Sequence, residues 1–129
     1  MSKEGTFGTV ITCMDGRVQE PVAKWLKERL GLNFVDTITE PGVDRLMAEG
    51  SREQRDGVRA KVLISTNAHG SRVVAVVGHA DCAGNPVAKE RHVEQVLQAV
   101  ATVHSWGLNV RILGLWVNEQ WTVEQVSEA

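Results

Sequence analysis

Two cysteines, a histidine and an aspartate–arginine pair are the residues of this chain best suited to chemistry, and they fall in two short runs. His79 and Cys82 stand three apart in Gly78-His79-Ala80-Asp81-Cys82, directly after the valine-rich Val73–Val77. Cys13 begins Cys13-Met14-Asp15-Gly16-Arg17 and closes a run rich in β-branched residues. Two thiolates and an imidazole are a donor set for zinc, which holds sulfur at about 2.3 Å and nitrogen at about 2.0–2.1 Å, so the three atoms must converge within roughly 4 Å of each other. Three protein donors leave a fourth tetrahedral position, the pattern of a catalytic zinc rather than a closed structural one. Asp15 and Arg17 add a second chemistry. An arginine grips a carboxylate through two parallel hydrogen bonds and keeps it ionised at neutral pH. An ionised carboxylate only accepts hydrogen bonds. Beside a zinc-bound hydroxide it would accept the O–H and leave a lone pair free for attack, which is orientation and not proton removal.

Each of these residues has a plainer reading when taken alone. A buried cysteine is most often a small apolar core residue. Asp15 suits a turn or a helix N-cap, and Arg17 a surface cation. What the plainer readings leave unexplained is three metal donors meeting at two strand ends. Asp81 suits hydrogen bonds to loop amides. His69, beside Gly70, suits a helix end, where it favours the dipole. His92 and His104 read as structural or exposed helix residues. Trp25 and Trp106 suit core or helix-end packing, while Trp116 and Trp121, near the last strands, suit either packing or a dimer surface. The glycines around Gly78 and Gly84 match neither common phosphate-binding pattern.

The elements that must position these residues are legible from apolar spacing. Phe7–Cys13 reads as a first strand. The helix after it aligns Val18, Val22, Trp25, Leu26 and Leu30 on one stripe, admits Pro21 only in its first turn and stops at Gly31. Asn33–Thr39 is a weaker second strand ending at Glu40-Pro41-Gly42. Asp44–Lys61 carries most of the charge and reads as a solvated loop entering a helix that ends near His69-Gly70, with Val58, Val62, Ile64 and Ala68 inward. Arg72–Val77, ended by Gly78, is a third strand, buried on both faces. From about Arg91 a helix presents Val93, Val96, Leu97, Val100 and His104 and stops at Gly107. Val110–Val117 is a last core strand, and Trp121–Val126 a short edge piece.

Strands alternating with helices predict an α/β fold, a mostly parallel sheet of four or five strands with right-handed crossovers and helices on both faces. In such a sheet ligands sit beyond the C-terminal strand ends, where strand order reverses. If the first and third strands are neighbours, their ends lie about 4.8 Å apart, close enough for Cys13, His79 and Cys82 to share one ion.

With 129 residues the expectation is one domain, 1–129, around one good core. A formal charge of −2 with both signs mixed throughout argues against a nucleic-acid partner. No apolar run reaches a membrane span and MSKEGTFG has no signal-peptide core, so the expected compartment is the cytoplasm. There two cysteines are expected to be thiols or metal ligands rather than a disulfide.

The runs Cys-Met-Asp-Gly-Arg after the first strand and Gly-His-Ala-Asp-Cys after the third resemble the β-class carbonic anhydrases, which carry C-x-D-x-R and H-x-x-C at these places. The looser resemblance runs from about Thr9 to Val123. It implies a mostly parallel sheet, Zn²⁺ held by Cys13, His79 and Cys82, Asp15 and Arg17 as an orienting dyad, CO2 and bicarbonate as substrates, and a homodimer or larger homo-oligomer. Three features depart from the family pattern. No counterpart is expected to the N-terminal helical arm that wraps a partner. Thr39-Glu40-Pro41-Gly42 replaces an Arg-Asn-Ala-Gly run, and Ala83 replaces the glycine after the second zinc cysteine. These departures bear on the pocket and not on the metal. Because two thiolates cancel the formal charge of Zn²⁺, a bound water should be acidified less than the ~7 of a three-histidine site, and the rate should rise toward alkaline pH. Two rivals remain open: hydrolysis of CS2 or COS on the same site, and a non-catalytic zinc or redox-sensitive thiol module.

Overall fold

Every residue of Val73–His79 is buried, and this run is the middle strand of a five-stranded sheet. A strand covered on both faces needs apolar side chains at odd and even positions alike, which the valine run supplies. The computed structural model describes residues 6–129. In chain order the elements are β1 (Phe7–Thr12), α1 (Gly16–Leu30), β2 (Phe34–Thr39), α2 (Val43–Glu49), α3 (Arg52–Ala68), β3 (Val73–His79), α4 (Lys89–His104), β4 (Arg111–Val117) and β5 (Val123–Glu128). The sheet order is β2-β1-β3-β4-β5, with β1 to β4 mutually parallel and β5 antiparallel to β4. The expected α/β architecture is therefore present with five strands.

Helices cover both faces. On one, Val18, Val22 and Leu26 of α1 pack on Val10, Ala75, Val77, Leu113 and Leu115. On the other, Met47 of α2, Val58 and Val62 of α3, and Val96 and Val100 of α4 pack on Ile11, Val74, Val76 and Ile112. Alternation along each strand sends successive side chains to opposite faces, so two helix layers share one sheet.

Several boundaries differ from expectation, each for a local reason. Pro21 lies in the second turn of α1 rather than the first. Its missing N–H deletes one bond of the helix ladder, to the carbonyl of Arg17. Gly31 ends the helix as expected, with a left-handed φ of 67°. The charged stretch is two helices, α2 and α3, separated where Ser51 and Gln54 form a reciprocal capping box. In α3 the inward residues are Val58, Val62 and Ser65, whereas Ile64 is 63% exposed and Ala68 is also exposed. β3 continues past Gly78 to His79, which pairs with Val117. α4 begins at Lys89 and buries His92, Gln95, Val96, Ala99, Val100 and Val103, so Leu97 and His104 face outward.

Candidate metal centre

β1 and β3 are hydrogen-bonded neighbours, with Ile11 opposite Val76, and the strand order reverses between them. At such a reversal the connections leave in opposite directions and open a crevice at the C-terminal strand ends. Cys13 follows β1 directly, His79 is the last residue of β3, and Cys82 lies three residues on. All three are buried, and one donor atom from each lies within 4.8 Å of the other two. The sulfurs of Cys13 and Cys82 are 3.9 Å apart and both are free thiols. Two sulfurs on a tetrahedral ion with bonds of about 2.3 Å stand roughly 3.8 Å apart, so this spacing is that of co-ligands and far from a disulfide.

The histidine is prepared in the same sense. Its Nδ1 lies 2.7 Å from the Ala80 carbonyl oxygen, which can only accept, so Nδ1 carries the proton. Nε2 is then a buried lone pair with no partner among the described residues. Burial, reinforced by the adjacent Cys13, pushes the Cys82 thiol up to about 11. A buried imidazole nitrogen without a partner is costly when left alone, and a divalent cation shared with the two sulfurs satisfies it. The residues present therefore fit a metal ion. Among the described residues this is the one group of three or more histidine, cysteine or acidic side chains so placed.

Asp15 and Arg17 lie on the turn that follows Cys13. Asp15 is the N-cap of α1, and its Oδ1 accepts from the Arg17 backbone N–H at 2.9 Å. The Arg17 guanidinium donates from Nε to Oδ1 at 3.0 Å and from Nη2 to Oδ2 at 2.7 Å, a two-pronged grip on the same carboxylate. The capping role and the pairing role thus coexist. Chiefly through the Arg17 side-chain hydrogen bonds, and against the opposing effect of burial, the Asp15 pKa is lowered to about 2. Gln19 pins the turn by donating from Nε2 to the carbonyls of Cys13 and Asp15, both at 2.9 Å.

Some neighbours of the site were not evident from residue types. Asp81 does not serve loop amides: its Oδ2 and its carbonyl accept from Arg17 at 3.1 Å each. Trp116 is only 1% exposed and belongs to the core, and Trp121 lies half-buried under the Arg17 guanidinium. Neither is a free aromatic on an open surface. His69 caps α3 and pairs with Asp36 at 2.6 Å, and His104 is exposed.

The largest surprise is a buried polar cluster behind β3. Asp44 accepts from His92 Nδ1 at 2.6 Å, from Asn85 at 3.1 Å and from the Arg45 backbone at 2.9 Å, and Asn85 also donates to Gln95 at 2.6 Å. Gly78 leaves room for it, since a Cβ there would lie 2.8 Å from Asp44 Oδ2. A histidine and a glutamine on the inner face of α4 defeat a reading based on apolar spacing. The available signal was the glycine beside His79, which implies something packed close to the strand.

The profile of a family described as "putative carbonic anhydrase" matches residues 3–127. No curated protein sequence gives a significant match. Among solved structures, a carbonic anhydrase from Streptococcus mutans superposes with a TM-score of 0.62 at 20% identity, over 92% of this chain and 81% of that one. The apo form of a carbon disulfide hydrolase superposes with a TM-score of 0.60 at 19% identity, over 93% and 78%. Tetrameric β-carbonic anhydrases from Sordaria macrospora give 0.57 at 10% identity, over 94% and 81%. At these identities the structural likeness speaks to the fold.

Proposed function

The chain belongs to the carbonic anhydrase family whose profile spans residues 3–127, and from that premise we propose that it hydrates CO2 to bicarbonate at a zinc ion held by Cys13, His79 and Cys82. The observation that carries this reading is the convergence of two buried thiols and an unpartnered imidazole nitrogen on one point at the reversal of strand order. Zinc bound there supplies Lewis-acid activation of water for attack on the carbon of CO2. The chain supplies orientation. Asp15, ionised from about pH 2 upward, can only accept, so a nucleophile hydrogen-bonded to it presents a lone pair to the substrate. Arg17 fixes the carboxylate in place and in charge. The reading extends to one zinc domain over 1–129 working as a homodimer or larger assembly. The likeness to a carbon disulfide hydrolase favours CS2 or COS as the second reading, because those linear molecules offer the same electrophilic carbon.

Stopped-flow CO2 hydration by zinc-loaded protein tests this. Activity should rise toward alkaline pH. Asp15 contributes nothing to that rise: its pKa is depressed, so its charge is lost only as pH falls through about 2. A profile already flat from pH 6 upward would contradict the charge argument. Asp15→Asn should keep its zinc and lose about 10²-fold or more in kcat, since an amide can turn a donor toward the nucleophile. Zinc-loaded wild type that hydrates neither CO2 nor CS2 leaves the site as a metal module without turnover.

A further inference from the structure

Among the described residues, the two non-glycine residues with left-handed backbone are Asp81, φ 56°, and Trp121, φ 60°. They lie forty residues apart on different loops, and both touch Arg17. That coincidence is the starting observation. Left-handed backbone is tolerated by aspartate but is a genuine outlier for a bulky side chain, and such strain persists only where the surroundings over-determine it.

The Trp121 position is the more telling. β4 and β5 are joined through a β-turn in which the Trp121 N–H donates to the Asn118 carbonyl at 2.9 Å, and the Asn118 N–H donates to the Thr122 carbonyl at 3.1 Å. Asn118 Oδ1 also accepts from the N–H groups of Gln120 and Thr122, at 2.9 and 3.0 Å. A three-residue hairpin loop of this kind ordinarily ends in a left-handed residue, and glycine is the residue of choice there. This chain has tryptophan instead. Its ring lies beneath the Arg17 guanidinium, 4.6 Å from Cζ to the ring centroid, within range of a cation–π contact.

Asp81 approaches Arg17 from the other loop. Nη1 donates to its Oδ2 and Nη2 to its carbonyl. With Nε and Nη2 already committed to Asp15, four donor contacts and one ring face are used at once. The guanidinium side chain is nevertheless 47% exposed, so without these contacts little else would hold its plane. Resting on the reading above, we propose that Asp81 and Trp121 are positioning residues that clamp Arg17, and through it fix the direction in which Asp15 faces the reacting water. Neither touches substrate. The left-handed conformations are retained because each aims a group at the arginine.

The test uses the zinc-loaded full chain with Asp81→Ala, Asp81→Asn, Trp121→Gly and Trp121→Phe, and reads three quantities: metal content, exchange of the Arg17 Nε–H by ¹⁵N NMR (assigned by its loss in Arg17→Lys), and kcat for CO2 hydration. Metal should stay stoichiometric throughout. Arg17 Nε–H exchange should quicken at least tenfold in Asp81→Ala and Trp121→Gly, with kcat falling about 10–100-fold and KM little changed, the range typical of groups that orient a catalytic residue. Trp121→Phe, which restores a ring face, and Asp81→Asn, which keeps an acceptor, should recover most of both. Exchange at the wild-type rate in both truncated variants overturns the clamp, whatever the activity does. Quickened exchange with unchanged kcat overturns its role in orientation. Loss of zinc from Asp81→Ala overturns it too, by assigning Asp81 to the metal loop. If the wild type itself proves inactive, the proposed hydration fails, and the NMR readout alone still decides whether Arg17 is clamped.

Discussion

Cys82→Ser is expected to lose zinc and turnover together, leaving less than about a tenth of an equivalent of metal and at most about a thousandth of the wild-type rate. Serine keeps the shape of the side chain but not the sulfur, and its hydroxyl does not ionise near neutrality. The site then retains Cys13 and His79, too few donors for a tetrahedral ion. Stability should follow the metal, because a ligand that binds only the folded chain stabilises it by RT ln(1 + [L]/Kd), about 4 kcal/mol at a thousandfold excess over Kd. The variant should therefore melt near the temperature of chelator-treated wild type, and a chelator should not lower it further. Elemental analysis and thermal melts with and without chelator decide the matter. A Cys82→Ser protein that purifies with one equivalent of zinc would remove Cys82 from the ligand set and the open fourth position with it.

Asp44→Ala should be strongly destabilising although it lies outside the proposed metal site. The carboxylate accepts from His92, Asn85 and the Arg45 backbone, and both His92 and Asn85 are 1% exposed. Truncation strands those buried donors where water cannot replace the acceptor. The expected cost is about 3–5 kcal/mol, the range for removing one partner of a buried charged or hydrogen-bonded pair. For a chain of this size that corresponds to roughly 10–20 °C in melting temperature. The exposed Asp56, which pairs with Arg52 at 3.8 Å, serves as control, and Asp56→Ala should cost no more than about 0.5 kcal/mol. Urea denaturation of both variants gives the comparison. Should Asp44→Ala fall within about 1 kcal/mol of wild type, the cluster is not the brace described here. Metal retention should weaken as well. Asp44 packs against Gly78, next to His79, and the Asn85 N–H donates to the Cys82 carbonyl at 3.3 Å, so the cluster backs two of the three proposed ligands.

The sequence carried the strands and their order of burial well, because β1, β3 and β4 are dense in valine, isoleucine and leucine and no helix competes for such short runs. The convergence of the candidate metal-binding residues was legible for a different reason: His79 ends one buried strand with Cys82 three residues on, and Cys13 directly follows another, so topology brings them together. The inner face of α4 was legible only at Val96 and Val100, and the buried polar residues on α2 and α4 were not. Asp44, His92, Gln95 and Asn85 bury polar atoms that hydrogen-bond to one another, although His92 Nε2 finds no partner among the described residues, and residue type announces exposure until the partners are seen. Ile64 failed in the opposite direction, an apolar residue facing solvent on α3 while Ser65 points in to meet Thr9 at 2.6 Å. The role of Trp121 was hidden because nothing in a single sequence marks a tryptophan that occupies a glycine position of a hairpin.

The sheet order has a consequence for biosynthesis. Cys13 precedes His79 and Cys82 in the chain, and β3, the strand that sets it against them, follows β2, which pairs along the other edge of β1. Until Val73–Cys82 has been translated and has docked in the middle of the sheet, Cys13 lacks the two donors it converges with. Capture of an ion at the proposed site would then wait for long-range parallel pairing, the slow step in folds of this kind. Metal supplied during translation should therefore not hasten folding, whereas metal supplied afterwards should lock a sheet already assembled.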